Sequence, residues 1–181
     1  MIENTKKPVF PELRSARFLI HPLREVDVSD AYVSWFLDNT AREFITAAQA
    51  AQTIDSLKSY VRENLESPHS FLLGIFTLGT NRHIGNIKFD HITAGKGSAI
   101  VGVLIGEPEW RGKGVFKEVF ERAAQHLFSS MEIKNFWLGV HRTNAGAIKA
   151  YRKTGFKEAL PPEEVIQGAH QDGFYMCCTF D

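Results

Sequence analysis

The chain has 181 residues, 44% of them apolar, which suits one domain with a substantial core and excludes a disordered chain. Its 21 lysines and arginines are balanced by 21 aspartates and glutamates, so no overall field favours nucleic acid or an anionic membrane, and any anion site has to be built locally. The only cysteines, Cys177 and Cys178, are adjacent in an alternating apolar stretch that turns them to opposite faces, as suits reduced packing residues rather than a disulfide.

The N-terminal segment MIENTKKPVF shows no apolar run behind a basic one, and no stretch reaches the roughly 20 apolar residues of a membrane span, so a cytoplasmic protein without a membrane partner is expected. Residues 1–13, with Pro8 and Pro11, read as a surface arm leading to a first strand near Arg17 to Pro22. Two amphipathic helices follow. "DVSDAYVSWFLDN" has Asp27 or Ser29 as its cap, and "TIDSLKSYVRENLE" places Ile54, Leu57, Val61 and Leu65 on one face behind Thr53. The runs "FLLGIFT", "HIGNIKFDHI" and "SAIVGVLIG", separated by "LGTNR" and "TAGKG", predict an antiparallel meander.

The pattern then changes period. From Val115 to Phe128 a continuous apolar stripe predicts a long helix, followed by a strand at Asn135 to His141, a short helix at Ala145 to Thr154 and a terminal strand in "GFYMCCTF". Strand, helix and strand in that order imply a parallel crossover. The expected fold is therefore a single domain over residues 1–181, an α/β (α+β) mixed sheet in which the meander is followed by a β-α-β crossover with helices on both faces.

Between the last strand of the meander and the long helix stands "LIGEPEWRGKGVF", a glycine-rich turn at the start of a helix, where backbone N–H groups are unpaired and the dipole is positive. Arg111 and Lys113 at such a place call for an anion. A Walker loop does not fit, because Gly106 and Gly112 enclose five residues rather than four and Gly114 stands at the hydroxyl position. A dinucleotide fingerprint lacks its third glycine and its opening β-α-β unit.

The piece Arg111-Gly112-Lys113-Gly114-Val115-Phe116 resembles the acyl-CoA pyrophosphate loop, R/Q-x-x-G-x-G/A, of the GNAT superfamily of N-acetyltransferases. At the spacing that family shows, "VHRTNAGAIKAYRKTGFKE" resembles its ending N-x-x-A-i-x-x-Y-x-k-x-G-F, with Asn144, Ala147, Ile148, Tyr151, Lys153, Gly155 and Phe156 in those places. More weakly, "RFLIHPLREVDVSDAYVSWFLDN" is similar to the opening of the RimJ/RimL-like branch. There are two departures: Phe116 stands where the loop usually has Gly or Ala, and "SAIVGVLIG" lacks the acidic residue some relatives use as general base.

The resemblance implies acetyl transfer from acetyl-CoA to a primary amine by direct attack in a ternary complex. In that reading the N–H groups from Arg111 to Phe116 bind the CoA diphosphate, with the Arg111 and Lys113 side chains adding charge. The N–H groups of Leu104, Ile105 and Gly106, on a strand splayed from its neighbour, take the pantetheine and the thioester carbonyl. Tyr151, on one helix face with Ala147 and Ile148, is the acid for the departing thiolate. Asn144 serves as cofactor contact or helix N-cap, and Ala147 lies with the cofactor contacts. Lys153, with Lys149, Arg152 and Lys157, either complements the helix dipole or meets the 3′-phosphate.

For the general base, Asp90 on the polar side of its strand is the candidate, with Glu107, Glu109 and a relaying water open; His91 reads as a buried, satisfied histidine. The seven histidines show no metal-site spacing, so no metal is expected. The acceptor is a protein N-terminal amine or a small amine such as a polyamine, an antibiotic or an aminodeoxy-sugar nucleotide. Its pocket would draw on Trp35, Phe36, Arg42 and Phe44. Left open are a homodimer and a non-catalytic CoA-binding module of the same fold.

Overall fold

The computed structural model describes residues 9–44, 50–92, 97–165 and 172–181, with the backbone alone at 40–42 and 164. Its strands are β1 (Leu13–Arg14), β2 (Phe18–Pro22), β3 (Phe71–Thr77), β4 (His83–Asp90), β5 (Ser98–Ile105), β6 (Asn135–His141), β7 (Lys157–Glu158) and β8 (Gly173–Thr179). The helices are α1 (Asp30–Trp35), α2 (Asn39–Phe44), α3 (Ile54–Glu66), α4 (Val115–Met131) and α5 (Ala145–Lys153). One sheet runs in the order β1-β2-β3-β4-β5-β6-β8-β7. The pairs from β1 to β5 are antiparallel, β5 and β6 are parallel across α4, and β8 closes antiparallel on β6. This is the mixed sheet with meander and crossover that the periodicity predicts.

α4 forms because its apolar residues recur at helical spacing, and the stripe buries completely: Val119, Phe120, Ala123 and Leu127 have no exposed surface. They pack on the alternate residues of β4 and β6, Ile87, Phe89, Phe136 and Leu138, with α5 alongside through Ala147, Ile148 and Tyr151. Each fully buried Leu or Phe here is worth roughly 1.5–3 kcal/mol. The other face of the sheet is covered over β2 to β4 by α1 and α3, where Tyr32, Trp35, Leu57 and Val61 meet Leu23, Leu72 and Phe76. Further along that face, Gly102 of β5 and Gly139 of β6 are exposed.

Three expectations change in the structure, and one choice left open is decided. The N-terminal arm is anchored where it is described: Phe10 and Leu13 are buried, Phe10 lying 5.1 Å from Phe71 and 4.9 Å from His126. Residues 1–8 of that arm and most of the "TAGKG" turn lie outside the described residues. Of the two caps offered for α1, Ser29 is the one used, accepting from Tyr32 N–H. On α3, Leu65 points outward and Asn64 is buried instead, because Asn64 Nδ2 donates to Tyr60 O and its Oδ1 accepts from Ser70 Oγ–H. His91, expected inside, is exposed with φ 54°, since β4 ends one residue before it.

Candidate active site

Where β5 hands over to α4 the backbone is built from glycines in the left-handed region, Gly112 at φ 71° and Gly114 at φ 74°. Side chains rarely adopt this conformation, and Gly114 is the residue from which α4 starts. The N–H groups of Gly112, Lys113 and Gly114 make no hydrogen bond to the described residues, and those of Val115 to Lys117 are the unpaired first turn of α4. Six amides thus gather at the positive end of a 17-residue helix.

Arg111 does not point at this cradle. Its Nε donates to Ile105 O at 2.9 Å, Nη2 to Gly106 O at 3.0 Å and Nη1 to Asp38 Oδ1 at 3.0 Å, so the guanidinium ties the end of β5 to the segment after α1. The expectation that Arg111 adds charge to a phosphate meets a competing role: three of its five N–H donors are engaged by internal acceptors, while the residue still borders the cavity beside the turn. Lys113 is exposed, its Nζ 5.9 Å from the centre of the Trp110 ring, and its carbonyl accepts from Arg17 Nη2. Arg17 also pairs with Glu118 at 2.7 Å, which fastens the turn to the start of β2; against the desolvation that would raise it, the Glu118 carboxyl is held below its ordinary range by hydrogen bonds from Ser15 and Arg17 and by the Arg17 charge.

The two parallel strands separate just before the turn. β5 and β6 pair only over Ser98 to Ile100 against Asn135 to Trp137, after which β5 continues with β4 and β6 with β8. Gly106 N–H donates to Ile84 O, so strand alternation turns the Leu104 N–H towards β4 as well and directs those of Val103 and Ile105 into the gap. The sequence expectation named Leu104, Ile105 and Gly106; the geometry removes Leu104 and Gly106 as donors and adds Val103. Arg111 already occupies the Ile105 carbonyl on the gap side, so what this end of β5 still offers there is the N–H groups of Val103 and Ile105 and the Val103 carbonyl.

The gap is a cavity of about 590 Å³ continuous with the glycine turn. β5 contributes Val103, Leu104 and Ile105, and β6 contributes Gly139, Val140 and His141. Gly112, Gly114, Val115 and Phe116 come from the turn and α4, Asn144, Ala147, Tyr151 and Lys153 from α5 and its cap, and Phe44 from α2. Phe116, whose bulk raised the question of crowding, turns inward: it is 6% exposed, stacks on Phe120 at 5.4 Å and meets Tyr151 edge-on at 4.9 Å. Only its backbone is needed at the turn.

Tyr151 is half-buried against Phe116 and Phe156, and its hydroxyl has no hydrogen-bond partner among the described residues. Desolvation pushes its phenol up to about 12, so it remains a proton donor at neutral pH. Asn144 is the cap of α5, its Oδ1 accepting from Ala147 N–H at 3.1 Å, while it also borders the cavity.

The carboxylates proposed as base do not converge there. Asp90 pairs with Ile100, at the other end of β5 from the turn, and is held by Lys88 at 2.6 Å. Glu107 is buried, accepting from Trp35 Nε1 at 2.9 Å and pairing with Arg82. Glu109 is partly exposed on Arg82 at 2.7 Å, and its own backbone N–H, followed by Arg82, keeps its carboxyl low. Among the described residues no carboxylate lines the cavity. Trp35 and Phe36, assigned to an acceptor pocket, are core residues, while Phe44 does reach the cavity; the Arg42 side chain lies outside the described residues. His141 is the lining residue that sequence reasoning passed over. Its signal was its place in "NFWLGVH", in phase with Gly139 and Trp137 and so on the face away from α4.

A family model described as the acetyltransferase (GNAT) domain matches residues 17–157. The chain belongs to the GNAT acetyltransferase family. A probable N-acetyltransferase, YjcK of Bacillus subtilis (strain 168), is 26% identical over 161 residues, covering 83% of this chain and 88% of that protein. Among solved structures, RimL, a ribosomal L7/L12 α-N-protein acetyltransferase in complex with coenzyme A, superposes with a TM-score of 0.78. It is 16% identical and covers 96% of this chain and 99% of its own. The spermidine N-acetyltransferase of Vibrio cholerae, with CoA and spermine, gives 0.73 at 20% identity, covering 90% and 95%. At these identities the two structures establish the GNAT fold. They do not carry over an acceptor.

Proposed function

We propose that this GNAT domain transfers the acetyl group of acetyl-CoA to a primary amine, by direct attack of the amine while both substrates are bound. The observation that carries the reading is the pairing of two donor sets in one cavity: six unpaired amides at the glycine turn and the Val103 and Ile105 N–H groups in the gap between β5 and β6. A diphosphate fits the first set and a thioester carbonyl the second, because each is an acceptor without donors of its own. Acetyl-CoA supplies an acetyl group already activated as a thioester.

The chain's own residues do the rest. Gly112 to Lys117 hold the diphosphate with their amides, at the end of α4 where anions are favoured. Ile105 N–H, and Val103 N–H behind it, donate to the carbonyl oxygen as negative charge builds on it, an effect worth roughly 3–4 kcal/mol per donor in comparable sites. Asn144, whose Oδ1 caps α5, borders the cavity with Ala147 and Lys153 beside it. Tyr151, kept protonated by burial, gives its proton to the departing sulfur. The acceptor is a protein N-terminal amine or a small amine, the two classes named for RimL and the spermidine enzyme.

The test is an acceptor panel of N-terminal peptides, polyamines and aminodeoxy-sugar nucleotides incubated with acetyl-CoA, with free thiol and acetylated amine measured together. The reading requires equal amounts of both products with at least one acceptor class. Thiol release that never exceeds the amine-free control would contradict it.

A further inference from the structure

We propose that Gly102 and Gly139 decide which amines this domain accepts. As the bare lips of the window between β5 and β6, they admit an amine carried on a branched carbon, as at a peptide N-terminus or on a sugar ring, in preference to the unbranched end of a polyamine. The proposal rests on the acetyl-transfer reading and names the acceptor class of that same site.

The glycines in strand interiors are Gly74, Gly85, Gly102 and Gly139, and the first two are demanded by their neighbours. A Cβ at Gly74 would run into Leu23 and Phe76, and one at Gly85 into the Leu104 carbonyl. Gly102 and Gly139 have no such reason. Neither has a positive φ; Gly102 has nothing described within 4 Å of where a Cβ would stand, and Gly139 has Tyr175 Cε1 at 3.9 Å, an ordinary contact distance. Both are exposed. Glycine inside a strand costs stability through its backbone freedom and the packing it forgoes. Where neither dihedral nor neighbour requires it, it marks a place that another molecule approaches closely.

Their placement identifies that molecule. β5 and β6 last pair at Ile100 and Trp137, and two residues on in the same register Gly102 and Gly139 stand across the opening from each other. Val101 and Val103 of β5, like Leu138 and Val140 of β6, belong to the core under α4, so a side chain at either glycine would project from the opposite face. The start of α4 and Tyr151 are on the α4 side, where the proposed cofactor lies, while α1 and α3 cover the opposite face over β2 to β4. The face of the two glycines is thus the one left for the acceptor. Arg142 N–H donates to Asp172 O, one step past the His141 and Gly173 pair, so alternation turns the Gly139 carbonyl away from β8 and into the gap, where the Val103 carbonyl also points. An attacking amine has N–H groups to donate, and these carbonyls are acceptors for them, one from each strand.

Branching follows from there being two lips. To set its nitrogen on a thioester carbon held in the gap, the acceptor brings the amine-bearing carbon to the level of the lips. A CH₂ there needs little width. A branched carbon carries two substituents, and a side chain missing from both strands leaves a place for each. Charge agrees: Asp90 is the only carboxylate in β4, β5, β6 and β8, and it already holds Lys88, the neighbour of Gly102 across β4, at 2.6 Å. The further ammonium groups of a polyamine find no free carboxylate on these strands.

The experiment measures kcat/KM of wild type, Gly102→Val, Gly139→Val and the two corresponding alanine variants. The branched acceptors are an alanine-initiated peptide and an aminodeoxy-sugar nucleotide; the unbranched ones are the same peptide initiated by glycine, and spermidine. Thermal unfolding and acetyl-CoA calorimetry accompany each protein. Side chains added at open strand positions of ordinary φ should leave Tm equal or higher, and acetyl-CoA affinity within a factor of about three. We expect wild type to prefer a branched acceptor, and the valine variants to lose about tenfold or more in kcat/KM for it and in its ratio to the unbranched partner, the alanine variants less. Wild type that favours spermidine or the glycine-initiated peptide would overturn the proposal. So would valine variants within about threefold of wild type on the branched acceptor, equal losses on both kinds of acceptor, a parallel loss of acetyl-CoA affinity, or a lowered Tm in the alanine variants, each leaving acetyl transfer intact. A wild-type chain that acetylates no amine overturns the acetyl-transfer reading itself, and this one with it.

Discussion

Arg111 is the residue on which the sequence reading and the structure differ most, and replacing it separates a strut from a phosphate ligand. Arg111→Met removes three hydrogen bonds of 2.9–3.0 Å from a charged donor. Bonds to a charged group contribute roughly 1.5–3 kcal/mol each when buried. Here the side chains of Arg111 and Asp38 are 28% and 31% exposed, so water recovers part of each, and the ion pair itself adds at most about 1 kcal/mol. The net loss is about 2–4 kcal/mol, which for a chain of this size lowers Tm by roughly 5–15 °C. Arg111→Lys, with a single ammonium unable to reach all three acceptors, should fall between. The assay is thermal unfolding, together with calorimetric affinities for acetyl-CoA and for S-acetyl-pantetheine, which has the thioester but no diphosphate. A strut that shapes the gap predicts a lower Tm and a similar proportional loss for both thioesters. An unchanged Tm with a loss confined to acetyl-CoA would refute this reasoning and return Arg111 to the phosphates.

Two further predictions concern protons. Tyr151→Phe keeps the edge contact with Phe116 and removes the acid, so kcat should drop about 100-fold or more with acetyl-CoA affinity unchanged; full activity would end the acid role. His83 is half-buried in a ring stack with Phe76 at 4.7 Å, and desolvation lowers its pKa below the ordinary 6.5, outweighing the bonds to Asn86 and Gly85 and the attraction of Asp27, with His21 adding to the lowering. The unfolded chain then binds this proton more readily than the folded one, so the associated stability is present above pH 6.5 and lost as pH falls below it. The unfolding free energy of wild type should decline more steeply just below pH 6.5 than that of His83→Phe; parallel slopes would count against it.

The long-range order of the fold was legible because its signals are local and periodic. The α4 stripe, the three meander strands and the Asn144 cap each follow from spacing and residue type, and the glycines at 112 and 114 marked the turn for the reason the structure shows, a backbone at positive φ. What stayed hidden depends on which element ends up opposite which. Alternation gives Asp90 a polar face, but only the pairing with Ile100 places it away from the cavity. A basic residue at a helix start suggests an anion, yet Arg111 finds the Ile105 carbonyl, which faces the gap where β6 diverges from β5, and the Gly106 carbonyl just past the strand end. Leu65 and Asn64 exchange places because Ser70, distant in pattern but adjacent in space, satisfies the amide. The place of His141 was unreadable for the same reason: it lines the gap, and the gap exists only in three dimensions.

The account stands on the amide cradle at the β5–α4 turn, and calorimetric titration of acetyl-CoA into wild type and Gly114→Glu tests it most directly. Gly114 has φ 74° and opens the helix, so the variant both strains the backbone and sets a carboxylate among the amides that would face the diphosphate. The account predicts one acetyl-CoA bound per wild-type chain and no measurable binding to a variant that still melts cooperatively. Equal affinity in the two proteins would contradict it.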